Sequence, residues 1–173
     1  MNFKDQLIDS SRFVGDLVAG NVGYDPQHYA EILELVLHEN MPISSRAGRV
    51  LNICTENNPS LFSPHIQTVI DEIKKGRELH RSLLKVFAEI PYDLDEEQEG
   101  VLVDACFKWL SDDSTSVAVK IYCMGILSMS AIKEPDLIPE LISVLEDIIP
   151  YGTPGIKNKA GRTIKQLKKQ YPA

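Results

Sequence analysis

Cysteine is scarce in this chain, and what there is lies in the wrong places for metal or redox chemistry. Cys54, Cys106 and Cys123 make an odd count, none stands in a Cys-x-x-Cys spacing, and each sits among apolar neighbours. A disulfide framework is excluded on that pattern, and the three are expected to be reduced core residues. The four histidines, His28, His38, His65 and His80, form no pair at i, i+3 or i, i+4 and have no cysteine near enough to complete a zinc motif, so no metal or other cofactor is expected. Long apolar runs are also missing. The longest near-continuous one, 121–127, falls far below the roughly 20 residues that cross a bilayer. Lys4, Asp5, Asp9 and Arg12 interrupt the first 13 residues, which therefore lack the apolar core of a signal peptide, and the expected location is the cytoplasm. No Gly-x-x-x-x-Gly-Lys loop, Gly-x-Gly-x-x-Gly fingerprint or Gly-x-Ser-x-Gly elbow occurs, which removes the main nucleotide-dependent and hydrolase classes.

What is present is helix-forming material. Hydrophobic residues make up 43% of the 173, enough for a continuous core in one domain spanning 1–173. The formal net charge of -7 disfavours non-specific nucleic-acid binding by the molecule as a whole. Apolar residues recur at helical spacing throughout, and no segment alternates as a strand would. The pattern predicts nine helices, over about 2–19, 26–39, 45–57, 64–75, 78–90, 95–111, 116–131, 136–149 and 157–170. Starts are marked by Asp25-Pro26, Ser63-Pro64 and Thr153-Pro154, an N-cap residue followed by proline. Breaks fall at 20–23, Gly76, Pro91-Tyr92-Asp93 and Asp112-Asp113.

The helices repeat. Leu37, Ile73, Leu110 and Ile148 are separated by 36, 37 and 38 residues, a two-helix period. Arg46-Ala47-Gly48-Arg49-Val50-Leu51 reappears 113 residues on as Lys159-Ala160-Gly161-Arg162-Thr163-Ile164, and Arg81 and Lys120 fall between them, so a basic residue recurs at spacings of 35, 39 and 39. A repeated helical pair cannot bury its own apolar stripe and forms a core only by stacking on neighbours. The expectation is an all-α superhelix, with Leu37, Ile73, Leu110 and Ile148 in equivalent buried places and Gly48 and Gly161 where a second helix closely approaches its neighbour.

Residues 138–145, Ile-Pro-Glu-Leu-Ile-Ser-Val-Leu, and 119–127, Val-Lys-Ile-Tyr-Cys-Met-Gly-Ile-Leu, look like the first and second helices of a HEAT unit. From about 26 to 170 the chain resembles the HEAT, armadillo-type, family of helical repeats. That implies about four two-helix repeats, with the helix of 2–19 as a cap. It is similar also to small stand-alone bacterial HEAT-like proteins, a likeness that implies no activity.

Charge separates between the two helix sets. The four first helices hold 15 acidic and 3 basic residues, whereas the second helices, taken as 42–57, 77–90, 114–133 and 156–171, hold 13 basic and 3 acidic. In such repeats the second helices line the concave side, so the resemblance implies a basic groove of Arg46, Arg49, Arg81, Lys85, Lys120, Lys159 and Arg162. Such a groove suits an acidic or phosphorylated protein segment, or nucleic acid. The competing reading ties each basic residue to a nearby carboxylate, and it gains weight because 6 of the 13 lie in the last helix, whose outer face is solvated in any case. A second candidate is the loop before the last helix, where Tyr151, Gly152, Thr153, Gly155 and Lys157 offer free backbone N–H groups and a lysine to an anion. Trp109 sits on an apolar stripe and is expected in the core. The composition points to a non-enzymatic, protein-binding scaffold, with a basic nucleic-acid groove, including a DNA-glycosylase-like one, as the alternative.

Overall fold

A computed structural model describes residues 2–9, 11–76 and 78–171. Among them there is no strand. Ten α-helices follow in order: α1 (Phe3–Gln6), α2 (Arg12–Val22), α3 (Pro26–His38), α4 (Ile43–Asn57), α5 (Ile66–Lys74), α6 (Arg81–Glu89), α7 (Glu96–Ser111), α8 (Val117–Lys133), α9 (Ile138–Ile148) and α10 (Pro154–Gln170), with 3₁₀ turns at 59–61, 63–65 and 135–137. No helix of the described residues is long and apolar enough to cross a membrane.

Side-chain caps set most helix starts. Asp25 accepts the backbone N–H groups of Gln27 (2.8 Å) and His28 (3.1 Å), with Pro26 at the first helical position. These bonds, that of His28 foremost, hold the Asp25 carboxyl below its usual range. Ser116 and Thr153 cap α8 and α10, and Asp95 forms a reciprocal capping box with Gln98.

The single helix expected over 2–19 is two. Asp9 accepts the N–H of Ser11 at 2.7 Å and Ser11 accepts that of Val14 at 3.1 Å. Local side-chain bonds of this kind offer the backbone an alternative to helix, and here they break it. The following helix then runs through Gly20 and Asn21, which were read as breakers, and stops only at Gly23, whose φ of 54° lies in the left-handed region that glycine tolerates. Not all of its apolar residues face the core: Leu17 is 51% exposed, and Phe13, one turn earlier, is 74% exposed. Two further starts move. Pro59 and Pro64 draw their segment into 3₁₀ turns before α5, and α10 begins at Pro154 rather than Lys157 because Thr153 caps it.

The chain divides into two compact units, 1–92 and 93–173. In the first, α4 is central. It packs on its own partner α3 and on the neighbouring second helices α2 and α6, while α1 touches α2 and α3. The N-terminal pair thus occupies the places of an abbreviated repeat. In the second unit α7 pairs with α8 and α9 with α10, and α8 packs on α10 and α7 on α9. Within each unit, therefore, like helix packs on like helix, as a stacked repeat requires.

The first core is built on Tyr29, Ile32, Val50, Leu51, Ile70, Leu83 and Leu84, all essentially unexposed. Phe62, Phe87 and Tyr92 close one side of it, with ring centroids 5.3–6.3 Å apart. Burial pushes the Tyr92 phenol up to about 12. The second core holds Trp109, as expected, with Cys106, Leu110, Cys123, Leu127, Leu141 and Leu145. All three cysteines are buried free thiols. Burial raises Cys54 to about 11 and, together with the neighbouring Cys123, raises Cys106, so both remain protonated and unreactive at neutral pH.

The period residues are not equivalent. Ile73 and Leu110 are buried, but Leu37 and Ile148 are half-buried, and Val36 and Leu145 take the core places in their helices. Gly48 and Gly161 differ too. A Cβ on Gly48 would lie 2.3 Å from Ser82 Oγ and 2.8 Å from Ser82 Cβ, so α4 and the start of α6 do approach closely there. Gly161 is exposed, with nothing within 4 Å of such a Cβ, because no described element covers that side of α10.

His80 gives the first unit a pH-sensitive joint. Its Nδ1 accepts the N–H of Ser82 at 3.2 Å, capping α6, and its Nε2 lies 3.4 Å from Ser45 Oγ on α4. Burial, and then the charge of Arg81, lowers its pKa. A protonated Nδ1 cannot accept a hydrogen bond, so the folded state resists a proton that the unfolded chain takes up near pH 6.5. The sign follows: stability is full above about 6.5 and declines as pH falls through that value. Urea midpoints at pH 7.5 and 5.0 should drop for the native protein and drop less for His80→Asn, which keeps a capping side chain without titrating. His65, lowered by burial in the same direction, accounts for a remaining slope. Equal drops in the two proteins would exclude His80 as the source.

Candidate functional site

The seven basic residues read as one groove fall in different surroundings. In the first unit most are committed to internal partners. Arg46 Nη1 donates to the backbone oxygen of Leu7 at 2.8 Å and to that of Ile8, anchoring the turn that follows α1. Arg49 on α4 bonds Asp16 on α2 at 2.9 Å, and Lys85 on α6 bonds Glu56 on α4 at 2.8 Å and approaches Glu89 at 3.6 Å. These contacts run between adjacent helices and leave little outward positive field. Arg81 is exposed beside His80, without an ion pair among the described residues.

In the second unit Lys133 on α8 bonds Glu99 on α7 at 3.3 Å, whereas Lys120, Lys159 and Arg162 make no ion pair among the described residues. α10 carries Lys157, Lys159, Arg162, Lys165, Lys168 and Lys169 and no acidic residue. Of these six, Lys168 alone makes an ion pair among the described residues, with Glu146 at 3.1 Å. Ile156, Ala160, Thr163 and Leu167 are buried against α8 and α9. Arg162, Lys165 and Lys169, at i, i+3 and i+7, lie on the opposite, exposed face. Sequence reading picked out Arg162 through the repeat and missed Lys165 and Lys169. Their spacing from Arg162 was the available signal.

Charge placement along α10 does not follow helix stability. Lys168 and Lys169 in the last turn complement the negative end of the helix dipole. Lys157 and Lys159 stand near the positive end, where cations are disfavoured and where α10 has no acidic residue in its first turn.

Lys120 lies apart from α10's outer face. It is half-buried on α8 and joins three residues of the predicted loop, Tyr151, Gly152 and Thr153, in lining a cavity of about 440 Å³. Gly155 and Lys157, grouped with them in the sequence, do not line it. The cavity opens between the turn joining α7 to α8 and the turn joining α9 to α10. Gly152 is required at its edge, because a Cβ there would lie 2.7 Å from Ile156 Cγ2 and 3.1 Å from the backbone oxygen of Ile148. The Thr153 hydroxyl accepts the N–H of Ile156 at 3.4 Å, so one of the N–H groups that the loop offers to an anion is already used. Sequence reading did not anticipate Asp113, Thr115 or Asp147 on the cavity wall; the first two come from the turn before α8, distant in the chain, and Asp147 from the end of α9 just before the loop. No group of three or more His, Cys, Asp or Glu among the described residues is placed to hold a metal ion.

No curated protein and no solved structure matches the chain. The model of the HEAT repeat domain matches residues 10–167, from the start of α2 to the end of α10's buried stripe. The span takes in α2, consistent with its packing on α4 in the manner of a second repeat helix. With that match over most of its length and a wholly helical structure in which like helix packs on like, the chain belongs to the HEAT repeat domain family.

Proposed function

We propose that the chain is a non-enzymatic interaction module that docks an acidic or phosphorylated segment of another protein on the exposed face of α10. HEAT repeats commonly mediate protein–protein interaction, and the reading for this chain is carried by one observation: six basic residues on a single helix, five of them without an ion pair among the described residues. Carboxylates and phosphoryl groups form charge-assisted bonds with such a row, Arg162 contributing a bidentate fork. Protein is favoured over nucleic acid for two reasons. The net charge of -7 repels a polyanion, and the basic residues of the first unit are largely spent on internal bonds.

A fluorescence-polarisation titration tests the proposal. The probes are a labelled Glu/Asp-rich peptide containing phosphoserine, a Gly/Ser peptide of equal length, and short duplex DNA, each at low and at physiological salt. The acidic peptide should bind, weaken as salt rises, and lose roughly tenfold in affinity to Arg162→Glu/Lys165→Glu/Lys169→Glu. The urea midpoint should stay close to that of the native protein, since these side chains are exposed. Absence of acidic-peptide binding at low salt would sink the reading. Tighter binding of DNA than of the peptide would replace it with the nucleic-acid alternative.

A further inference from the structure

The cavity between the two turns of the second unit has the opposite charge preference from α10. Its wall carries two carboxylates, Asp113 and Asp147, against one ammonium, Lys120. None of the three makes a hydrogen bond or ion pair through its side chain with the described residues, so the carboxylates are not neutralised from within. Thr115, only 6% exposed, also belongs to the wall, and its hydroxyl has no hydrogen-bond partner among the described residues. The rest of the wall combines the apolar Val117, Val144, Ile148 and Ile156 with Ser111 and Thr153, and Tyr151 at its edge is 92% exposed.

We infer that this cavity receives the side chain of an arginine from a partner protein segment. The guanidinium has donors enough for both carboxylates, its aliphatic stem matches the valine and isoleucine wall, and its plane can lie on the Tyr151 ring. The net charge of the lining, one ammonium against two carboxylates, disfavours an acidic side chain. A volume of about 440 Å³ falls within the range of ligand pockets and exceeds what one side chain fills, so flanking backbone of the segment enters too. At the cavity edge the Gly152 turn packs closely on Ile156 and the α9 backbone, so a larger residue there would shift the turn. This site does not depend on the α10 face.

Amide shifts in ¹H–¹⁵N spectra of the full chain provide the test. The probes are the capped peptide Gly-Ala-Arg-Ala-Gly, its Gln and Glu counterparts, and free arginine. The Arg peptide should shift the amides of Ser111, Thr115, Tyr151 and Gly152, with the Gln and Glu peptides weaker by roughly fivefold or more. Free arginine should be weaker than the peptide, because it lacks the flanking backbone. Asp113→Asn/Asp147→Asn should reduce the Arg-peptide affinity by about fivefold. Lys120→Gln, which removes the one repulsive charge, should strengthen it about twofold and serves as the second variant should the double substitution disturb folding. The α10 triple reversal should leave Arg-peptide binding unchanged, which separates failure here from failure of the α10 reading. Three results would each overturn the inference: no shift with the Arg peptide, equal shifts with the Gln peptide, or tighter binding of the Glu peptide. Free arginine binding as tightly as the peptide would instead identify a small-molecule cation site and overturn the protein-segment assignment.

Discussion

Replacing Tyr29 with alanine is expected to destabilise the protein by about 3–5 kcal/mol, the largest effect of any single substitution considered. Tyr29 on α3 is fully buried and is the largest such side chain of the first core. Its ring stacks near His65 at 5.8 Å, and its hydroxyl lies 2.6 Å from Thr55 Oγ1 on α4. Thr55 in turn donates to the backbone oxygen of Leu51 at 2.7 Å. Its single proton is therefore committed, and Tyr29 must be the donor to Thr55. Burial outweighs this bond and pushes the phenol's pKa well above its usual range, so the donor stays protonated at neutral pH. Tyr29→Phe keeps the ring and removes only the hydroxyl, so it should cost about 1 kcal/mol. Adding Thr55→Val to Tyr29→Phe should cost less than the sum of the two single changes, because the pair shares one bond. Urea unfolding of the three variants measures this. A loss under 1 kcal/mol for Tyr29→Ala would show that α3 is not held to α4 through this side chain.

Gly48→Val should cost about 3 kcal/mol, at the upper end for overpacking a filled interface. The obstruction is close to the backbone of α6: Ser82 Cβ at 2.8 Å cannot swing away, although Ser82 Oγ can, and His80 Cε1 stands at 3.0 Å. Helix propensity works the other way, since alanine is favoured over glycine in a helix by about 1 kcal/mol. Gly48→Ala should therefore fall between, at about 1–2 kcal/mol net. Ser82→Gly removes the colliding atoms and should restore part of the stability lost in Gly48→Ala. A double variant no more stable than Gly48→Ala alone would show that the collision lies elsewhere. The corresponding change at Gly161, which meets nothing within 4 Å, should leave stability unchanged or raise it slightly through propensity.

The contrast between these two glycines shows where sequence reading ends. Their local sequences are alike, Arg-Ala-Gly-Arg against Lys-Ala-Gly-Arg, and both are helical, so a repeat register derived from the chain must treat them as equivalent. Whether the glycine is covered depends on the presence of a following helix, which α4 has in α6 and which α10 lacks among the described residues. The recurring basic residues separate for the same reason. Arg49 has Asp16 on the preceding helix and Lys85 has Glu56, each more than 25 positions away, and no spacing rule within one helix finds such partners. Arg162 has no such partner among the described residues.

Helical class, the two-helix period, the caps at Asp25 and Thr153 and the buried cysteines and tryptophan were all determined by the sequence itself, because each rests on interactions within a few residues or on apolar periodicity of 3.6. The break between α1 and α2 belongs with these in principle, since Asp9 and Ser11 make it locally, although strong apolar spacing on both sides hid it. Tertiary structure alone decided which basic residues are neutralised, which glycine is pressed, and that Asp113, Thr115, Lys120, Asp147 and Tyr151 share one cavity. Those outcomes depend on contacts between side chains tens of positions apart, and they are set by how neighbouring repeats stack rather than by the preference of any segment.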